Sequence, residues 1–427
     1  MNNRHVTDHD APIAARVFLI IFAVVLAFCG GSSRHDLMQI VVMIPVAILS
    51  GAAALYFVQR PYLKPVGWAF GLGVSLAVLM LLQLIPLSHG LWASLPGRAG
   101  PAALDTALGL EPMRAMSLNP ARTLHALFTT AIPIAAILLF VALRDRAHVW
   151  VFTAIVGIAV LNAIVGILQE LGGNVPLLYF YAITIAKASV GIFANPNHAS
   201  VFGALALIVI ALGVVLLGSD RNHRWCRTGL IASYVTVVLA NFINTSRAGL
   251  LTTLVALVFT ALLFLRPHLV RRLDETRNRA KTANSTWIRV AIVGASVTVV
   301  IALVYLFERS PAVAQLLAED PLQDLRFLIT PTLIDMVQTY FPLGAGFGAF
   351  ENIYYIAEER NLLMRSYLNN AHNDWLQWVI EGGLPAALLL LAFFFFVMRA
   401  LFGLWRMDTA LPMQNRSRQR TIAATPN

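Results

Sequence analysis

Apolar residues in this chain run in long unbroken blocks rather than in the alternating or half-turn patterns of a protein that faces water. Such blocks lie near 13–30, 38–57, 65–87, 124–143, 149–171, 198–218, 228–244, 249–265, 288–308 and 378–402. Each approaches the roughly 20 apolar residues that a helix needs to cross a hydrocarbon core of about 30 Å. The residues within a block do not alternate in polarity, as the short strands of a membrane barrel would. Without water in the core, each segment must pair its own backbone N–H and C=O groups, and this dictates helices. The pattern therefore predicts an all-α, polytopic transmembrane bundle of about ten spans.

Composition agrees. Of 427 residues, 58% are hydrophobic and 12% charged, against roughly 25% charged in an ordinary soluble domain. In water, so little charge would leave large apolar patches bare. The formal net charge is +10, and its distribution reads as topology. Arg266, Arg271, Arg272, Arg277, Arg279, Lys281 and Arg289 crowd one loop, and Arg406, Arg416, Arg418 and Arg420 lie in the tail. Clusters of this kind mark the cytoplasmic side. The opposite side carries most of the acids, among them Glu308, Glu319, Asp320, Asp324, Asp335, Glu351, Glu358 and Glu359. With basic residues at helix ends and no recognisable nucleic-acid-binding motif, no nucleic-acid partner is expected. Residues 26–29 faintly resemble a lipoprotein cleavage site, but Phe28 is bulky where a small residue is needed, so the first block is read as a retained helix. Cys29 and Cys226 fall on opposite sides of the membrane, out of reach of each other. No Cys/His cluster has zinc spacing, and neither metal nor cofactor is expected.

Three outward stretches are longer than a connection requires: 88–123, 172–197 and 309–377. Long loops in a compact protein are usually functional or disordered, and the third is too apolar and aromatic to be disordered. Leu325, Leu328, Ile329 and Leu333 recur at helical spacing, Thr330-Pro331 restarts or kinks that helix, and 342–348 is a glycine-rich turn. A second amphipathic helix is expected from about Phe350 to Tyr367. Asp320-Pro321 has the form of a helix start. The chain is divided into N-terminal membrane helices with the 88–123 loop (1–148), a second membrane domain with the 309–377 loop (149–405) and a basic cytoplasmic tail (406–427).

Polar clusters stand out where these loops meet lipid. Asn195 and Asn197 precede the sixth block, and one Asn there needs no more than a helix cap. Ser246 and Arg247 separate the seventh and eighth blocks, and an Arg at membrane depth on the side poor in positive charge suggests function; a snorkelling side chain on lipid phosphate is the simpler alternative. His372, Asn373 and Asp374 end the long loop beside Trp375 and Trp378. Arg326 lies in the same loop, where it could do no more than pair with a nearby acid. Arg binds phosphate bidentately and stays charged, and neutral His can accept a hydroxyl proton near neutral pH. Two Arg and a His on one face suit transfer from a phosphate-activated donor to a hydroxyl.

The motifs GIFANPNHAS (191–200), NTSRAGLL (244–251), Arg326 followed by PLGAGFGAF (342–350), and NNAHNDWLQWVIEGG (369–383) together resemble the O-antigen ligase and polymerase superfamily of bacterial envelope glycosyltransferases. SLNPART (117–123) is similar to ligase sequences in a less diagnostic way. The resemblance covers roughly residues 150–400. It implies an undecaprenyl-pyrophosphate-linked glycan donor, a lipid A–core or growing-glycan acceptor, and inverting, metal-independent transfer at the periplasmic face of the inner membrane. It implies that His372 is the general base and that Arg247 and Arg326 bind pyrophosphate. Asn195, Asn197, Ser246, Asn373 and Asp374, beside them in the same motifs, are candidates for supporting roles. Ligase is the expected activity, with a repeat-unit polymerase as alternative and a transporter or flippase as the reading from another class. One departure concerns the end of the chain. A single block follows His372, where more membrane segments are usual, so the chain is a short variant or that block bends at Gly382-Gly383-Leu384-Pro385.

Overall fold

The computed structural model describes residues 12–32, 37–144, 147–172, 175–185, 188–217, 221–244, 246–265, 325–363 and 368–409. The expected block at 288–308, the basic loop 266–289, Asp320-Pro321 and the tail beyond residue 409 lie outside them. The described chain is all-α apart from two paired dipeptides, and among the described residues eight helices are long and apolar enough to cross a membrane. The helical-bundle expectation holds. By contacts, the chain forms two compact units, each assembled from two stretches: Met1–Leu63 with Leu138–Asp320, and Lys64–Ile137 with Pro321–Asn427.

The first unit contains α1 (Ile13–Cys29), α2 (Leu37–Phe57), α9 (Ala147–Leu171), α10 (Pro196–Leu217), α11 (Arg224–Ile243) and α12 (Arg247–Leu265). Helix α10 sits at its centre, packed by α9, α11 and α12. Its sequence explains this position. Ala199, Ser200, Gly203, Ala204, Ala206, Ala211 and Gly213 keep its surface thin, and small residues let helix backbones approach where lipid offers no hydrophobic drive. The apolar core runs from Ala159 and Ala163 of α9 through Leu207 and Ile210 to Val237, Val238 and Leu257.

The first stretch of the first unit ends with α3 (Arg60–Leu63), and the second unit contains α4 (Gly67–Gln83), α5 (His89–Ala93), α6 (Ala99–Ala107), α7 (Pro120–Thr129), and α8 (Ala131–Ala142), which runs on into the other unit. After the long loop come α13 (Leu325–Leu328), α14 (Thr330–Tyr340), α15 (Phe350–Ala357) and α16 (Asp374–Thr409). The helix does restart at Thr330-Pro331, with Pro in its first turn. The second amphipathic helix is shorter than expected: α15 ends at Ala357, and Arg360–Leu362 is a separate 3-10 turn. The 88–123 loop is also structured. Strands β1 (Pro86–Leu87) and β2 (Arg114–Ala115) pair antiparallel, Pro86 with Ala115 and Leu87 with Arg114, and fold α5 and α6 into an excursion between them.

Helix α16 bends where Gly382-Gly383-Leu384-Pro385 allows. Gly383 has φ 62° and ψ −151°, which interrupts the helix. Pro385 has no N–H to give to Glu381 O, and Leu384 N turns away to Pro342 O (2.7 Å). The freed carbonyls are taken up by the glycine-rich turn. Ala345 N donates to Ile380 O (2.9 Å) and Gly346 N to Glu381 O (2.9 Å). Gln83 of α4 adds its Nε2 to Glu381 O (2.9 Å) and receives Phe347 N (3.0 Å). Irregular backbone within a membrane helix persists when protein supplies its partners in this way. The fit depends on glycine: a Cβ on Gly383 would come within 2.1 Å of Pro342 O, and one on Gly344 within 2.4 Å of Glu381 O.

Candidate active site

In the first unit, the NTSRAG and ANPN motifs are one structure. Ser246 is the N-cap of α12, its Oγ accepting Gly249 N (2.8 Å), and the same hydroxyl pairs with Asn197 Oδ1 at the start of α10. Asn195 Oδ1 accepts Asn197 N (2.9 Å) and caps that second helix. Buried Asn244 knits the two: it accepts Ser246 N (2.9 Å) and donates Nδ2 to Ser189 O (2.8 Å) and Pro196 O (3.2 Å). The first turns of α10 and α12 thus lie side by side, so close that a Cβ on Gly249 would meet Ser200. Arg247 is the first residue of α12 and is half-buried. Two helix N-termini, each carrying partial positive charge, and a guanidinium therefore share one locality. Such an arrangement favours an anion.

The support beneath this site comes from residues that sequence reading passed over. Gln169 Oε1 accepts Val190 N (2.9 Å) and Gly191 N (2.7 Å), while its Nε2 donates to Leu178 O (2.8 Å) and Gly191 O (2.9 Å). Asn162 Oδ1 accepts Ile192 N (3.1 Å). These amides fix the irregular segment leading to Asn195. A signal existed: Asn162 and Gln169 stand seven residues apart, two turns on one face of an apolar block. Buried Asn241 ties the three helices together, donating to Ser200 O (3.1 Å) and Thr253 Oγ1 (2.9 Å).

In the second unit, His372 is exposed and directly follows Ala371, which is fully buried. Its backbone has φ 50°, the left-handed region, where a residue with a Cβ is uncommon. Both flanks are pinned. Ala371 N donates to Gln377 Oε1 (2.9 Å), and Asn373 Oδ1 accepts Leu376 N (3.3 Å), capping α16. Asp374 occupies the first turn of that helix, where a carboxylate complements the dipole. Arg326 lies in the four-residue helix α13.

The same unit holds Glu381, a buried carboxyl within α16. The transporter reading looks for ionisable groups inside spans, and Glu170 is exposed near the end of α9. Glu381 is instead engaged by protein. Its Oε1 accepts Phe350 N (3.1 Å), the first N–H of α15, whose N-cap Ala349 has no side chain to offer. Gln377 Nε2 lies 3.5 Å from the same oxygen. Gln377 therefore links the backbone before His372 to the carboxyl that caps α15. The SLNPART stretch is a second strut: Asn119 caps α7, Thr123 Oγ1 donates to Phe347 O (2.8 Å), and Arg122 pairs with Glu351 (3.2 Å). Arg98 is fully buried, donating to Pro96 O (2.6 Å), Met116 O (2.7 Å) and Gly344 O (2.9 Å). Loss of water pushes its pKa down to about 10, which leaves it charged at neutral pH. Among the described residues, no group of His, Cys, Asp and Glu is placed to hold a metal ion.

Residues 232–391 match the O-antigen ligase family. The matched stretch begins within α11 and ends within α16, and it contains Arg247, Arg326 and His372. No curated protein matches the chain. The similarity supports a ligase- or polymerase-type enzyme in a multi-pass bacterial membrane protein, with lipid-linked glycan and an acceptor as its general partners.

Proposed function

We propose that the protein is an inner-membrane glycan ligase. It transfers glycan from undecaprenyl pyrophosphate to a hydroxyl of lipid A–core at the periplasmic face, without a metal. The observation that carries the reading is His372, an exposed imidazole on a left-handed backbone clamped between a buried Ala371 and a capped helix. A non-glycine residue held in that conformation costs on the order of 1–3 kcal/mol and persists where the surroundings over-determine it, which is common at active sites.

In this mechanism His372 removes the proton from the acceptor hydroxyl. The oxygen attacks the anomeric carbon from the face opposite the pyrophosphate, the carbon–oxygen bond to pyrophosphate breaks, and configuration inverts. Undecaprenyl pyrophosphate leaves with the electron pair. Arg247, at the paired starts of α10 and α12, and Arg326 hold the pyrophosphate and stabilise its growing charge. Asn195, Asn197 and Ser246 position Arg247, and Asn373 and Asp374 position His372 through the start of α16. Holding both lipid-bound substrates converts a bimolecular encounter into a fixed geometry.

The test is the envelope polysaccharide of a deletion strain complemented with wild type or His372→Ala. Loss of glycan-capped lipopolysaccharide, with polymerised lipid-linked glycan accumulating, is expected for the deletion. His372→Ala should reproduce it at equal protein level, because a general base supplies about 10²–10⁴-fold in rate. Single-repeat products would point to a repeat-unit polymerase. Restoration by His372→Ala would remove the proposed base.

A further inference from the structure

Helix α6 has its polarity reversed. On one face it buries Ala102 and Asp105; on another it exposes Leu104 and Leu108, one helical turn apart and 61% and 63% accessible. The turn that follows exposes Leu110 and Met113 around one exposed acid, Glu111, and α5 adds Leu91. A helix that packs against its own protein and faces water on the other side shows the opposite arrangement. The buried carboxylate is tolerated because Arg114 grips it with two bonds, Nε to Oδ2 (2.8 Å) and Nη2 to Oδ1 (2.6 Å). The protein side of α6 thus holds a carboxylate paired with Arg114, and the outward side exposes leucines.

We propose that this outward face is a membrane-surface contact, with Leu91, Leu104, Leu108, Leu110 and Met113 lying in the headgroup–acyl boundary of the bilayer at the end of α4. Three observations select lipid as the occupant. The first is tether length. Helix α4, a candidate span, ends at Gln83, and β2 pairs with β1 through Leu87 and Arg114. Met113 therefore lies beside a residue only four positions past the span, at most about 13 Å of extended chain. The second is continuity, since the last turn of α4 already presents exposed Leu81 and Leu82, and exposed Ile85 follows it on the way to the hairpin. The third is the rim. The Arg114 side chain remains 42% accessible while its guanidinium, bonded to Asp105, stacks on Trp92, so a polar edge borders the apolar face. Amphipathic elements at a membrane surface lie in the interface with their apolar side sunk about 5–10 Å.

The contact is tested on the full chain in a Cys29→Ser, Cys226→Ser background. Leu104→Cys and Leu108→Cys, made singly, carry an environment-sensitive bimane label in vesicles of phosphatidylethanolamine and phosphatidylglycerol. Arg360→Cys, at an exposed charged position, is the aqueous reference. At 104 and 108 we expect quenching by acyl chains brominated near the headgroup, weaker quenching by bromine near the chain ends, and shielding from iodide. Quenching by iodide as strong as at 360 would overturn the proposal. Shielding from both quenchers would overturn it too, since protein would then cover the face, and label excimers that vanish on dilution into lipid would identify a second copy of the chain. The readout is the label's surroundings and not turnover, so it stands or falls apart from the glycan-ligase reading.

Discussion

Ala371 is out of reach of solvent and His372, the next residue, is exposed; a left-handed backbone between two fixed points allows the change. Gln377 provides one of those points by accepting Ala371 N. In Gln377→Leu that N–H loses its acceptor at a cost of about 1–3 kcal/mol, and His372 is freed to relax. The turnover rate for glycan transfer should fall at least about tenfold, the equivalent of 1.4 kcal/mol, with little change in apparent donor affinity. An equal loss in both would instead mean general damage. Asp105 offers a pH test. Its carboxyl is held below the usual range, first by the hydrogen bonds from Arg114 and then by the charges of Arg114 and His89, against the opposing effect of burial. A depressed folded pKa means that the stabilisation is present above the unfolded value of about 3.9 and is lost as pH falls through the folded one. Protease resistance of the 88–115 excursion should therefore be flat at neutral pH and decline only in strong acid. In Asp105→Asn the acid step should disappear and resistance should be low throughout.

At the scale of elements, the feature with most consequence is the exchange of partners between the bent helix α16 and the glycine-rich turn. Each breaks a rule alone: a helix with unpaired carbonyls, and a turn with three positive-φ glycines, Gly344, Gly346 and Gly348. Together they satisfy each other, with Ile380 O and Glu381 O receiving the turn's N–H groups. Gly383→Ala places a methyl against Pro342 O and forces a positive φ on a residue with a Cβ. The purified protein should lose about 1–3 kcal/mol of stability, read as a lower Tm. Gly403→Ala, in the same helix with open space around the site, should be neutral or slightly stabilising.

For the whole molecule, the question is which side of the membrane each loop occupies. Basic residues between Arg266 and Arg289 and the acids around Glu351 and Glu358 predict opposite sides. A reporter enzyme active only outside the cytoplasm should therefore be active when inserted after Glu359 and silent when inserted after Arg277. The reverse result would turn the chain over and remove the periplasmic reaction from the proposed mechanism.

Much of this was readable from residues in order. Apolar blocks are local, so sequence alone located the spanning helices, marked Thr330-Pro331 as a break, and offered Gly382-Gly383-Leu384-Pro385 as the place where the last block could bend. It also singled out Asn195, Asn197, Ser246 and Arg247 as unusual, because polar groups at the edge of lipid are expensive. What it could not supply were pairings across distance. Only the folded chain joins the caps of α10 and α12, hands the carbonyls of Ile380 and Glu381 in α16 to Ala345 and Gly346 of a turn far earlier in the chain, or buries Asp105 while exposing Leu104. Buried hydrogen bonds depend on which segments meet, and residues such as Gln83, Gln169 and Glu381 look like isolated polar interruptions until their distant backbone partners are in place. Sequence periodicity fixes what each segment can be, and tertiary contact decides which of its polar groups are satisfied and which remain available for chemistry.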